Sequence, residues 1–100
     1  MKLSITRGGG LAGIPVQTEI ASDELPPDAA QALAEHAKAI VPAAAPRSRS
    51  PDEMLYTVRL EADDGVREEH YSDSTLPEDV RALIAWADAR PEKREEIGPR

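Results

Sequence analysis

The sequence predicts an α+β domain with a four-stranded, mostly antiparallel sheet, built from two hairpins with two helices on one face in the order ββαββα. Three observations support this fold class: apolar residues alternate with polar ones in four runs, two apolar stripes follow helical spacing, and glycine or proline separates these segments. One hundred residues without cysteine correspond to one domain that packing alone must stabilise. We expect this domain to span residues 1–90.

The first hairpin is predicted from alternation near the amino terminus. Leu3 and Ile5 alternate with polar neighbours as strand one, and Arg7-Gly8-Gly9-Gly10 should end it with residues that tolerate positive φ. Alternation resumes over 14–20 as strand two, where Pro15 fits a strand start or an edge. The glycine-rich segment should therefore connect two antiparallel strands.

A helix and a second hairpin follow. Pro27 suits a first helical turn, and an alanine-rich stripe continues to about Ile40. Residues 42–52 have no period and three prolines, which indicates a mobile loop within one domain. Alternation over 54–61 predicts strand three, and Ala62-Asp63-Asp64-Gly65 predicts its hairpin turn.

The carboxy-terminal part predicts an edge strand, a helix and a tail. Strand four, over 66–72, offers little apolar surface and should lie at a sheet edge. Thr75 and Glu78 have the spacing of a capping box before the second helix. Residues 91–100 should form a flexible charged tail. The second helix has one apolar stripe, which consists of Val80, Leu83, Ile84 and Ala87.

Charge and composition restrict the function. A net charge of −7 repels phosphate backbones and anionic membranes, so we expect neither nucleic acid nor membrane as a partner. The amino terminus lacks the apolar run of a signal peptide, which favours a cytoplasmic protein. The many Ala and Arg residues suit a GC-rich bacterial genome. The small aromatic content argues against a large enclosed pocket, hence against an enzyme, and we expect no cofactor.

Residues that could carry chemistry have simpler explanations. Gly8-Gly9-Gly10 lacks the Lys-Ser/Thr of a phosphate-binding loop, and His36 and His70 lack the spacing and the third ligand of a metal site. We interpret the histidines as solvated. The other polar groups fit turns, caps or solvated charge: Ser72-Asp73-Ser74, Asp63-Asp64 and Glu68-Glu69.

The segment Leu11-Ala12-Gly13-Ile14-Pro15 is mostly apolar and follows the glycines at an expected hairpin tip. Apolar residues at a tip require an explanation. Leu11 could fold back onto the core as a plug, or the segment could insert into a pocket of a partner protein.

Five strings occur in a characteristic order along the chain: Arg7-Gly8-Gly9-Gly10-Leu11-Ala12-Gly13-Ile14-Pro15, Leu25-Pro26-Pro27-Asp28-Ala29-Ala30, Tyr56-Thr57-Val58, Asp64-Gly65 and Ser72-Asp73. In this order they resemble the emfourin family, which comprises inhibitors of thermolysin-like metallopeptidases. The resemblance runs nearly end to end, although the region of Ile40-Val41-Pro42-Ala43 lacks the aromatics typical of the family and Glu69 and Tyr71 stand where valines alternate in strand four.

This resemblance implies a monomeric inhibitor that blocks the substrate cleft of a thermolysin-like zinc metallopeptidase, with Leu11 or Ile14 in an apolar pocket beside the metal. A non-inhibitory adaptor for another protein fits the same composition. The expected protease contacts are Gly8, Gly9, Gly10, Leu11, Ala12, Gly13, Ile14 and Pro15.

Overall fold

The computed structural model describes residues 1–9, 15–41, 54–73 and 75–97. Its elements follow in the order β1, β2, a short 3-10 turn, α1, β3, β4, α2 and β5. Their bounds are β1 Lys2–Gly9, β2 Val16–Ala21, the 3-10 turn Ser22–Glu24, α1 Pro27–Ala37, β3 Met54–Ala62, β4 Gly65–Ser72, α2 Glu78–Asp88 and β5 Arg94–Ile97.

The strands form one antiparallel sheet in the order β4-β3-β1-β2-β5. The α+β class, the two helices and the edge position of β4 are therefore confirmed. The prediction of four strands in the order ββαββα is wrong, because a fifth strand follows α2 and pairs with β2. This strand comes from residues 91–100, which the sequence assigned to a tail because their charges show no apolar alternation.

Both helices cover one face of the sheet, called the covered face. In β1, Leu3 and Ile5 point to this face, and their register partners on β2 and β3 are also buried. One apolar core joins them to α1 and α2. The residues of the predicted α2 stripe are all buried, as are Leu33, Ala37 and Ile40 of the α1 region.

The opposite side, called the open face, has no helix packed on it among the described residues. Ser4, Thr6 and Thr57 lie on this side, and Arg59 makes ion pairs there with Glu61 and Glu68. The period of two along each strand thus separates the apolar core from a polar surface.

Local boundaries depart from the sequence expectation in two helices. Helix α1 ends at Ala37, and i to i−3 hydrogen bonds tighten the chain from Lys38 to Ile40. The prediction of a capping box is wrong, because α2 begins at Glu78 after Pro77 without a side-chain cap. Thr75 instead closes the turn after β4, where its Oγ1 accepts a hydrogen bond from the backbone N–H of Ser72 at 2.9 Å.

The turn between β3 and β4 is confirmed as a hairpin. Gly65 has a φ of 144°, a backbone angle that residues with a side chain rarely adopt, so glycine is required there. The loop expected over 42–52 lies outside the described residues. None of the helices in the described ranges has the length and apolar run needed to cross a bilayer.

Candidate functional site

The structure describes the base of the glycine-rich hairpin on which the predicted contact segment stands. Gly8, Gly9 and Pro15 belong to the described residues, whereas Gly10, Leu11, Ala12, Gly13 and Ile14 lie outside them. The two interpretations of Leu11, as a core plug or as a contact, therefore both stay predictions.

Strand β1 continues further toward the tip than the sequence indicated. Gly8 and Gly9 were expected to end the strand, but they pair with Leu55 and Met54 of β3. The β-ladder with β3 holds this backbone in place although the two residues have no side chains. The glycines thus form part of the sheet up to the first residue of the tip.

The two strands of the hairpin approach each other closely at Gly8. A Cβ placed on Gly8 would lie 3.2 Å from Cα and 3.4 Å from Cβ of Pro15. The first distance is shorter than ordinary van der Waals contact between carbons. Glycine at position 8 therefore lets Pro15 lie directly against β1, which defines where the tip segment leaves the sheet.

An ion pair connects this base to α2. Arg7 donates to both carboxylate oxygens of Asp88, with Nη1 to Oδ2 at 2.9 Å and Nη2 to Oδ1 at 2.6 Å. The hydrogen bond to Asp88 is the main reason that the pKa of Arg7 is raised. Two parallel N–H···O bonds fix orientation as well as distance. Arg7 is thus held against the last residue of α2.

Sequence reasoning missed this ion pair because its partners are 81 positions apart. A signal was nevertheless present. Arg7 continues the inward-pointing series of Leu3 and Ile5, and a charged side chain on an apolar face requires a partner. That argument predicts a carboxylate opposite Arg7, but it does not say which of the nineteen acidic residues supplies it.

A second set of contacts fixes the neighbouring strand. The Tyr56 hydroxyl donates to Asp73 Oδ1 at 3.0 Å, and the Met54 N–H donates to Asp73 Oδ2 at 3.3 Å. Burial, followed by the hydrogen bond to Asp73, raises the pKa of Tyr56. Asp73 therefore links the beginning of β3 to the turn after β4, beside Gly8 and Gly9.

Two exposed apolar side chains lie next to the glycines. Met54 is 37% exposed and Leu55 is 44% exposed, and they are the register partners of Gly9 and Gly8. The absence of side chains on the glycines leaves these two residues open on the β1 side. As neighbours in β3 they lie on opposite faces of the sheet, so one exposed apolar residue on each face adjoins the place where the tip segment begins, and we call this pair the apolar margin.

The residues considered for other chemistry lie apart. His36 packs its ring against Trp86 with centroids 5.3 Å apart, which joins α1 to α2. His70 is on the open face, where Nδ1 lies 3.1 Å from the Thr57 hydroxyl. Within the described ranges, no cluster of three or more His, Cys, Asp and Glu residues could hold a metal ion.

The acidic and hydroxyl groups also have structural roles. Ser72 lies in the turn closed by Thr75, and Glu68 pairs with Arg59. Asp63 and Asp64 are exposed in the β3–β4 turn. Ser74 lies outside the described residues. The described part of the chain therefore brings no nucleophile, base and orienting group together.

The described residues form a small α+β domain with a hairpin whose base is held by backbone pairing and by the ion pair of Arg7 with Asp88. Comparison with known protein families matches residues 5–88 to the Emfourin family, so the chain belongs to the emfourin family. Membership suggests the role of a metallopeptidase inhibitor. No curated protein and no solved structure gives a significant match. The matched span runs from β1 through α2 and ends before β5.

Proposed function

We propose that this protein inhibits a thermolysin-like zinc metallopeptidase by placing the segment Gly8–Pro15 in its substrate cleft. The carrying observation is the family match over residues 5–88, which includes the whole segment Gly8–Pro15 and all of β2. The inhibitor supplies no catalytic group or cofactor in this scheme. It acts by occupying the cleft as a monomer.

The described hairpin base supports this role physically. Gly8 and Gly9 are paired with β3, and Pro15 packs against Gly8, so both ends of the tip segment leave a defined frame. A segment whose ends are fixed loses less conformational entropy when it docks than a free peptide does. The anchored base therefore favours binding of the apolar residues Leu11 and Ile14.

The apolar margin can extend the same contact. Met54 and Leu55 are exposed beside Gly9 and Gly8, so a protease that receives the tip would come close to them. Apolar area buried at the centre of a contact contributes more than charged groups at its rim. The net charge of −7 then acts at longer range and favours an enzyme with a less negative cleft.

The direct test measures inhibition constants with thermolysin and with a thermolysin-like enzyme from the same genome. Replacement of Leu11 or Ile14 by Ala should weaken inhibition by about ten- to hundredfold, or about 1–3 kcal/mol, with little change in melting temperature. Val66→Ala is the matched control, because Val66 is an apolar residue 59% exposed at the opposite end of the sheet. This variant should inhibit like the wild type.

Each result has a distinct meaning. A fall in melting temperature for Leu11→Ala that exceeds its effect on inhibition would make Leu11 a core plug. Unchanged inhibition by both tip variants would move the contact away from Gly8–Pro15. Failure of the wild-type protein to inhibit any thermolysin-like enzyme would favour the adaptor function.

A further inference from the structure

The last side chain before the tip on β1 is that of Arg7. The residues that follow, Gly8 and Gly9, pair with β3 through backbone alone. Glycine has the largest backbone freedom of any residue, so such a strand end opens easily unless something adjacent fixes it. The side chain of Arg7, directly before the glycines, can hold this end of β1 in place.

The partner of Arg7 is itself fixed. Asp88 is the final residue of α2, and Lys93 Nζ donates to its backbone carbonyl at 2.8 Å. Lys93 Nζ also lies 3.7 Å from Glu95 Oε1. Glu95 belongs to β5 and is the register partner of Thr18 on β2. The backbone of the residue whose carboxylate receives Arg7 is thereby connected through Lys93 to β5, the strand that pairs with β2.

Strand β2 is held from the other side. Val16, the first residue of β2, pairs with Arg7 on β1 and with Ile97 on β5. Arg7 thus lies at the level of the sheet where both strands of the hairpin are joined to other elements. Above this level only Gly8, Gly9 and Pro15 separate it from the tip segment.

We infer that Arg7 and Asp88 are positioning residues of the inhibitory hairpin: their ion pair orders its base so that the tip meets the protease in a defined orientation. This inference rests on the proposed function. Neither residue needs to touch the protease. Breaking the pair should slow productive docking, because the tip would have to be ordered during binding.

A second ion pair provides a matched control. Arg90 donates to Glu92 through Nε and Nη2, both at 2.9 Å, and these side chains are as buried as those of Arg7 and Asp88. Its partners are two positions apart in the segment after α2, so it connects no strand of the hairpin. Loss of this pair should leave the hairpin base unchanged.

The experiment compares Asp88→Asn and Arg7→Lys with Glu92→Gln in the full chain. Amide hydrogen exchange at Gly8, Gly9 and Val16 should accelerate by about tenfold or more in the first two variants, while core amides change little. Their inhibition constants should rise by about five- to twentyfold, mainly through a slower association rate. Glu92→Gln should stay within about twofold of wild type in both measurements.

A double variant completes the test. The inhibition constant of the double variant Arg7→Lys, Asp88→Asn should be no higher than that of the weaker-binding single variant, because the two substitutions remove the same interaction. Equal exchange at the hairpin base in Asp88→Asn and Glu92→Gln would overturn the inference. So would a uniform rise in exchange across the whole sheet, since that result indicates a purely structural role.

The exchange measurement needs no protease, so it separates this inference from the proposed function. A wild-type protein that inhibits no thermolysin-like enzyme would refute the proposed function and the inhibitory role of the pair together. Local ordering at Gly8, Gly9 and Val16 would still show whether Arg7 and Asp88 order the hairpin. Inhibition by wild type with unchanged inhibition constants in both single variants would overturn the inference alone.

Discussion

The covered and open faces of the sheet use the same strands for opposite purposes. Ile5 on the covered face is fully buried, whereas its neighbour Thr6 points to the open face and is half-buried. The covered face gains stability from apolar burial, and the open face carries hydroxyl and charged groups. A shift by one position along a strand therefore moves a side chain from the apolar core to the polar surface.

The largest expected difference between the faces concerns Ile5. Ile5→Ala removes a buried side chain between Thr18 and Val58 and should lower the free energy of unfolding by about 2–5 kcal/mol. Chemical denaturation measures this loss. Thr6→Ala is the control on the open face and should cost less than about 1 kcal/mol. Similar losses for the two variants would mean that the faces are misassigned.

A smaller effect is expected for the tyrosine on β4. The Tyr71 hydroxyl accepts from the Val41 N–H at 3.2 Å and donates to the Val41 carbonyl. Tyr71→Phe leaves these backbone groups without that partner and should cost about 1–2 kcal/mol in thermal or chemical unfolding. Tyr56→Phe, which loses an exposed bond to Asp73, should cost less. The reverse order would show that the Val41 contact does not stabilise the fold.

Substitution of one residue on the covered face should increase the stability of the fold. Thr18 is 1% exposed, and its Oγ1 has no hydrogen-bond partner within the described part of the chain. Thr18→Val keeps the branched shape and removes a buried hydroxyl, so we expect a gain of about 1 kcal/mol in unfolding free energy. Thr6→Val, on the open face, should be close to neutral. A clear loss for Thr18→Val would reveal that the hydroxyl is bonded.

The two tyrosines should make the stability of the fold depend on pH in the alkaline range and not at neutral pH. Burial is the main cause that raises the pKa of both Tyr56 and Tyr71, which lie on the covered face. Because each folded pKa exceeds the unfolded value of about 10, this stabilisation is complete below pH about 10 and is lost as pH rises through the folded pKa.

The melting temperature should therefore fall more steeply above pH about 10 in the wild type than in the Tyr56→Phe, Tyr71→Phe double variant. Arg and Lys contributions are common to both proteins, so the difference in slope isolates the phenols. Identical slopes would show that folding does not change the pKa of either tyrosine.

The position of the candidate contact segment follows from the sequence pattern. Alternation on both sides predicts the two strands, which the structure confirms, and the glycines and apolar residues between them lead to Gly8–Pro15, which stays a prediction. Its base was not predictable in detail. The continuation of β1 through Gly9 depends on backbone pairing with Met54, and the sequence pattern of glycine itself favours a turn.

The sequence by itself determined the α+β class, the first four strands, the two helical stripes and the buried face. These features follow from periods of 2 and 3.6 residues, which depend only on local backbone geometry. Tertiary structure alone decided β5, the ion pair of Arg7 with Asp88 and the role of Thr75 in closing a turn. The charges of β5 show no apolar period, and Arg7 finds Asp88 only after β1 and α2 have packed together, because contacts between distant segments leave no periodic trace in the chain.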